Sequence, residues 1–129
     1  MSKEKQNKSV EDYLEAILVL SQSNDKVRSI DIAKNLDFSK ASVSVAMHNL
    51  LEKEYIKVDN NKCIFLTKSG REIAEKIYER HILISRWLEH LGISKEIAVD
   101  DACNIEHVIS PESFKAIKDF LIKNKEILK

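Results

Sequence analysis

The stretch from Ser29 to Leu66 constrains this chain more than any other part of it. Ser29 precedes a short segment in which Ile30, Ala33 and Leu36 recur at helical spacing and should face inward. Asp37-Phe38 then makes a tight turn. Ser39 stands at the N-cap of a further helix reaching about Lys53, with Val43, Met47, Leu50 and Leu51 as its apolar positions. Two β-prone runs follow, Tyr55-Ile56-Lys57-Val58 and Lys62-Cys63-Ile64-Phe65-Leu66, on either side of Asp59-Asn60-Asn61, and they predict a hairpin. Helices, a tight turn, a longer helix and a hairpin, in that order, describe a winged helix-turn-helix. Such a unit holds its second helix on a compact core so that it projects into a major groove about 12 Å wide, while the hairpin reaches neighbouring phosphates.

The flanking segments read as helices. Ser9 looks like an N-cap with Asp12 in a capping-box position, and Val10, Tyr13, Leu14, Ile17, Leu18 and Leu20 predict a helix over residues 10–22. Thr67 caps a long helix ending near Leu91-Gly92, and Ser94 caps another over residues 95–108. Ser110-Pro111 starts the last, with Phe114, Ile117, Phe120 and Leu121 on one face. Two Gly and one Pro in 129 residues argue against an all-β sandwich, which needs many turns. The expected fold is mainly α with a small β-hairpin: a winged helix-turn-helix DNA-binding domain over residues 1–70, then a helical domain over 71–129.

No apolar run is long enough for a membrane span, and Met1 to Lys8 is too polar for a signal peptide. The two cysteines, Cys63 and Cys103, suit free thiols in a reducing cytoplasm, the expected location. Net charge is zero but unevenly spread. Residues 28–71 hold eight Lys/Arg against five Asp/Glu, and residues 72–110 hold four against eight. A basic half joined to an acidic half fits a nucleic-acid surface beside a cation-binding region.

The candidate recognition helix begins Ser39-Lys40-Ala41-Ser42-Val43-Ser44. Its small and hydroxyl side chains allow close approach, and its first amides can bind a phosphate. The DNA-contacting set is therefore Arg28, Ser39, Lys40, Ala41, Ser42, Ser44, Lys57 and Lys62, with Lys34 and Lys68 adding positive charge. An amphipathic helix with a merely solvated Ser/Lys face is the plainer alternative, as is a winged domain used for protein contacts.

Three groups could hold a metal ion. Asp12 and Glu15 share a face of the first helix. His81 lies in phase with Ile77, Ile84 and Leu88 on the long helix, and Cys103, Glu106 and His107 sit at i, i+3 and i+4 on the next. Taken singly, Asp12 is a helix cap, His81 a satisfied core histidine, and Cys103 a small buried hydrophobe. Together they are six ligands on three helices, and burying so many polar groups without a cation would be costly. Mixed O, N and S donors suit Mn²⁺, Fe²⁺, Co²⁺ or Zn²⁺ better than Ca²⁺.

Four segments in order, Glu11-Asp12-Tyr13-Leu14-Glu15, Leu66-Thr67-Lys68-Ser69-Gly70, Arg80-His81 and Cys103-Asn104-Ile105-Glu106-His107-Val108-Ile109-Ser110, resemble the DtxR/MntR family of iron- and manganese-dependent bacterial repressors. The resemblance covers nearly the whole chain. It implies a homodimer, paired through a metal-binding and dimerisation domain after the wing, that binds a palindromic double-stranded DNA operator when loaded with Mn²⁺ or Fe²⁺, with Co²⁺ or Zn²⁺ as substitutes in vitro. It also implies repression of metal-uptake genes; the lack of an H-E-x-x-H or comparable catalytic motif beside a DNA reader argues separately against an enzyme. The chain ends soon after the last helix, which resembles the short manganese-responsive branch without an SH3-like domain. Asp12, Glu15, His81, Glu106 and His107 fall on that branch's ligand positions. Cys103 departs from it, since that branch commonly has Glu there and the iron branch Cys. Ser85 and Val99 stand where the iron branch carries ligands of a second site, and Val45 where it carries a base-contacting Gln. The rival expectations are a metal-independent winged-helix regulator sensing a small molecule or thiol oxidation, a metalloenzyme, and an interaction module.

Overall fold

The computed structural model describes residues 3–124, with side chains from Ser9 onward; the outer ends of the two expected domains lie outside these residues. The element order is α1(Lys3–Ser23), α2(Ser29–Leu36), α3(Lys40–Glu52), β1(Ile56–Val58), β2(Ile64–Leu66), α4(Lys68–His90), α5(Lys95–Val108) and α6(Pro111–Lys123). The chain forms two compact units, Met1–Glu75 and Lys76–Lys129, and α4 passes through the boundary. No described helix is long and apolar enough to cross a membrane.

In the first unit, α1 begins earlier than expected, so Ser9 and Asp12 lie inside the helix and neither caps it. Lys, Glu and Gln are good helix formers but leave no apolar phase, so the first turns carry no periodic signal. Tyr13, Leu14, Ala16, Ile17 and Leu18 are buried along α1. Arg28, not Ser29, is the N-cap of α2, where its backbone N–H donates to Asp31 Oδ2 at 2.9 Å. With the start shifted by one residue, Ile32 and Ala33 are buried and Ile30 is exposed, against the expected inward phase for Ile30. The turn after α2 is the expected one: Asp37 is left-handed (φ 57°) and the Phe38 N–H donates to the Ala33 carbonyl. Asp tolerates that conformation better than most residues. Phe38 then sets its ring edge-on to Tyr13, centroids 5.8 Å apart.

Ser39 caps α3, its Oγ accepting from the Ser42 N–H at 3.1 Å. Val43, Met47 and Leu50 are buried, and Leu51 is exposed. The hairpin is antiparallel with Ile56 opposite Leu66, Lys57 opposite Phe65 and Val58 opposite Ile64. Asp59 closes it, its Oδ1 accepting from the N–H groups of Asn61 and Cys63. The Ile64 N–H donates to the Val27 carbonyl at 2.7 Å, which ties the wing to the chain before α2. The start of α4 is held as tightly. Thr67 Oγ1 donates to the Glu54 carbonyl, and a Cβ at Gly70 would come within 2.0 Å of the Tyr55 carbonyl oxygen. Only glycine lets the first turn of α4 lie so close to that backbone.

In the second unit, Gly92 (φ 99°) ends α4, and the Ile93 N–H donates back to Leu88. Ser94 and Ser110 cap α5 and α6 as expected, with Pro111 in the first turn of α6. Ile84, Ala102 and Phe114 form the core, one from each helix, with Leu83, Leu88, Ile105 and Ile109 packed around them. Lys118 and Glu79 pair at 3.1 Å across α6 and α4. On α6, Phe114 and Leu121 are buried while Phe120 stays exposed.

Candidate functional site

The polar cluster of the second unit grows out of two helices. On α4, His81 shares its stripe with the buried Ile77 and Ile84, so the helix that builds the core also turns an imidazole toward α5. On α5, the i, i+3, i+4 spacing puts Cys103, Glu106 and His107 on one face. His81 Nδ1 lies 2.9 Å from Glu106 Oε2 and 3.7 Å from Cys103 Sγ. His107 Nε2 lies 3.4 Å from the other carboxylate oxygen, Oε1.

Glu106 is fully buried, and its Oε1 accepts no hydrogen bond among the described residues. A buried carboxylate with half its acceptor capacity unused is expensive unless a positive charge stands beside it. In this structure His81 is that charge. Hydrogen bonding to Cys103, and then to Glu106, raises its pKa from 6.5 to about 10 against the opposing effect of burial.

The donor set fits a metal ion. One ligand atom each from His81, Cys103 and Glu106 lies within 4.8 Å of the others. Ligands at about 2.0–2.3 Å from a common ion sit at most roughly 4.6 Å apart, so small side-chain adjustments close the set. Imidazole, thiolate and carboxylate together suit a divalent transition metal. Asp12 and Glu15 are half-buried on α1 in the first unit, three residues apart. Burial first, and the Asp12 charge second, raise the pKa of the neighbouring Tyr13 hydroxyl. Ser85 is buried with its Oγ donating to the Ile82 carbonyl, and Val99 offers no ligand atom. Cys63 is a buried core residue beside the hairpin turn.

The other candidate face belongs to the first unit. Ser39, Lys40, Ala41, Ser42 and Ser44 are all exposed at the start of α3, and Val45 is 63% exposed in its middle. Arg28 at the start of α2 and Lys57 and Lys62 on the hairpin are exposed as well. Lys62 adopts a left-handed conformation (φ 65°) at the turn. His48 pairs with Glu52 on the surface of α3.

Arg80 escaped a reading of the sequence as a site residue in its own right. It is 6% exposed, and its Nη1 donates to the carbonyls of Glu106 (3.1 Å) and Ile109 (3.0 Å). The available signal was its phase, i+3 from Ile77 and i−4 from Ile84, which puts a charged residue on the buried stripe of α4.

Comparison with known proteins covers both units. Residues 6–64 match the N-terminal DNA-binding domain of the iron-dependent repressors, and residues 67–126 match their metal-binding and dimerisation domain. An HTH-type transcriptional regulator of Methanocaldococcus jannaschii is 33% identical over 122 residues, 93% of this chain and 98% of that protein. The transcriptional regulator MntR of Oceanobacillus iheyensis is 34% identical over 113 residues, 88% of this chain and 77% of that protein. Among solved structures, the manganese regulator SloR superposes with a TM-score of 0.78 at 30% identity over 87% of this chain. The chain spans about half the length of that protein, 53% of it. Caps, hairpin, buried donor cluster and both domain matches agree: the chain belongs to the iron-dependent repressor family.

Proposed function

We propose that this chain is a homodimeric repressor of metal-uptake genes whose operator binding is switched on by Mn²⁺ or Fe²⁺. The observation that carries the reading is the buried Glu106 carboxylate, 2.9 Å from His81 and set beside Cys103 and His107. His81, Cys103, Glu106 and His107 would hold the metal, with Asp12 and Glu15 of α1 as its further ligands. A bound divalent ion supplies the positive charge that the His81 proton provides without it. The rest is done by the protein. With the ion bound, His81 would give up its proton, Glu106 would hold the ion in place of that imidazolium, and α1, which belongs to the DNA-binding unit, would be tied to α4 and α5. The two recognition helices of a dimer then keep the spacing of half-sites about one DNA turn apart.

In the DNA complex, the α3 amides and Lys40 meet phosphates near the start of the recognition helix. Ala41, Ser42 and Ser44 permit close approach to base edges, and Ser39 fixes the helix start. Arg28, Lys57 and Lys62 add backbone contacts from either side. The role of the metal is regulatory and not catalytic, and the protein works in the cytoplasm. Support for manganese comes from the relatives named above, whereas Cys103 draws the site toward Fe²⁺.

Anaerobic titration of the reduced protein with Co²⁺ tests the ligand set. A thiolate-to-cobalt absorption band that disappears in Cys103→Ser is expected. Tight Co²⁺ binding without that band would remove Cys103 from the ligands, and no tight binding would overturn the metal-sensing reading.

A further inference from the structure

We infer that Arg80 is a positioning residue of the metal site: it fixes the last turn of α5, and with it Glu106 and His107, against the segment of α4 that carries His81. The inference rests on the reading that these residues hold a metal, and it adds a residue that offers no ligand atom.

A guanidinium that is 6% exposed needs compensation, and among the described residues Arg80 forms no ion pair with a carboxylate. Its compensation runs through Nη1, while Nε has no hydrogen-bond partner among the described residues. Nη1 donates to the carbonyl of Glu106, in the last turn of α5, and to that of Ile109, the residue that ends this helix. Carbonyls in a last helical turn lack amide partners and carry the negative end of the helix dipole. The guanidinium carbon also lies 5.3 Å from the centre of the Phe114 ring, a face attractive to cations. One side chain thus joins α4, the end of α5 and the first turns of α6.

Two consequences follow for the site. Arg80 precedes His81 on α4, and it grips the backbone of Glu106, the residue whose carboxylate His81 meets. The separation of the two ligands therefore depends on a strut two bonds strong, independent of the ligands themselves. Moreover, Arg80 takes the carbonyl of Glu106 and leaves its carboxylate alone. A guanidinium paired with that carboxylate would compete with a metal ion for it. This arrangement positions the ligand without neutralising it.

The test compares Arg80→Met, Arg80→Lys and Phe114→Leu with the parent protein, each as the full chain. Co²⁺ affinity and the thiolate-to-cobalt band are read anaerobically. The hydrogen-bonded imidazole N–H resonance of His81 is read by NMR in the metal-free protein. Arg80→Met should weaken Co²⁺ binding by about 10- to 100-fold, the usual effect of losing a support for a ligand. It should also alter the band of the saturated site and lose the His81 resonance. Arg80→Lys should recover part of each, and Phe114→Leu, which removes a core side chain and a buried cation–π contact but keeps both hydrogen bonds, should lower thermal stability while retaining the band and the His81 resonance. If Arg80→Met fails to fold, Arg80→Lys decides alone. Parental affinity, band and His81 resonance in the Lys variant, or lower thermal stability with all three unchanged in the Met variant, would overturn the inference. Absence of Co²⁺ binding by the parent would instead sink the metal reading, while the His81 resonance would still test the strut.

Discussion

The start of α3 and the end of α5 use polar residues in opposite circumstances. On α3, Ser39, Lys40, Ala41, Ser42 and Ser44 are exposed, and the Ser39 side chain is hydrogen-bonded to Ser42. Near the end of α5, Glu106 is fully buried, coupled to His81 and His107, and seated on a backbone that Arg80 holds. The first arrangement costs the fold little and leaves its donors free for a partner. The second is balanced only while a positive charge, an imidazolium proton or a metal ion, stands beside Glu106. Substitutions in the two regions should therefore separate: those on α3 alter binding without altering stability, whereas those around Glu106 alter metal affinity and stability together.

The largest expected effect lies in the frame that carries the recognition face. Gly70→Ala would drive a Cβ into the Tyr55 carbonyl, so the hairpin or α4 must shift. Chemical denaturation should show a loss of about 3 kcal/mol or more, in the range of severe overpacking. A change under about 1 kcal/mol would mean that the junction yields easily, and the recognition face would then be less rigid than the comparison requires.

Next comes Glu106→Gln, which keeps the shape and removes the charge. Co²⁺ titration should show at least about a 100-fold loss of affinity, more than the usual effect of losing a supporting residue. Near-parental affinity would show that the burial of this carboxylate has another purpose.

A change of pH acts on the same site. The pKa of His81 is raised from 6.5 to about 10, so the proton it binds stabilises the metal-free fold fully below pH 6.5, and this stabilisation is lost as pH rises toward 10. Metal binding runs the other way, because the ion must displace that proton. Mn²⁺ affinity measured by calorimetry should rise by up to about tenfold per pH unit between pH 6 and 9. Affinity that falls with pH over this range would contradict the assignment of the proton to His81.

The smallest effect is expected at Lys40→Ala on the exposed face. Affinity for duplex DNA should drop several-fold, and the slope of log affinity against log salt should shrink by about one. Thermal unfolding should remain within about 0.5 kcal/mol of the parent. An unchanged salt slope would move the phosphate contact elsewhere.

What could be read from the sequence followed from signals local in the chain. Ser39, Thr67, Ser94 and Ser110 each precede a helix and accept from an amide in its first turn, so those four starts were legible. Asp59 likewise marked the hairpin turn through its own side chain. The α5 donors were visible because i, i+3 and i+4 spacing needs nothing beyond the helix. The early start of α1 was not, since its first residues have helix propensity without apolar phase. Ile30 was misjudged because Arg28 took the N-cap and shifted the face by one residue. Arg80 was hidden for a different reason: its partners are backbone carbonyls 26 and 29 residues away, which no spacing rule reveals.

A duplex selected from a random pool by the Mn²⁺-loaded protein is labelled, and its binding is followed by fluorescence anisotropy with Mn²⁺ and then with a chelator in excess. Chelation should weaken binding by about 5- to 150-fold, the usual range for coupled sites, and Glu106→Gln should bind the duplex weakly under both conditions. Equal affinity with and without Mn²⁺, or a normal metal response in Glu106→Gln, would contradict this prediction.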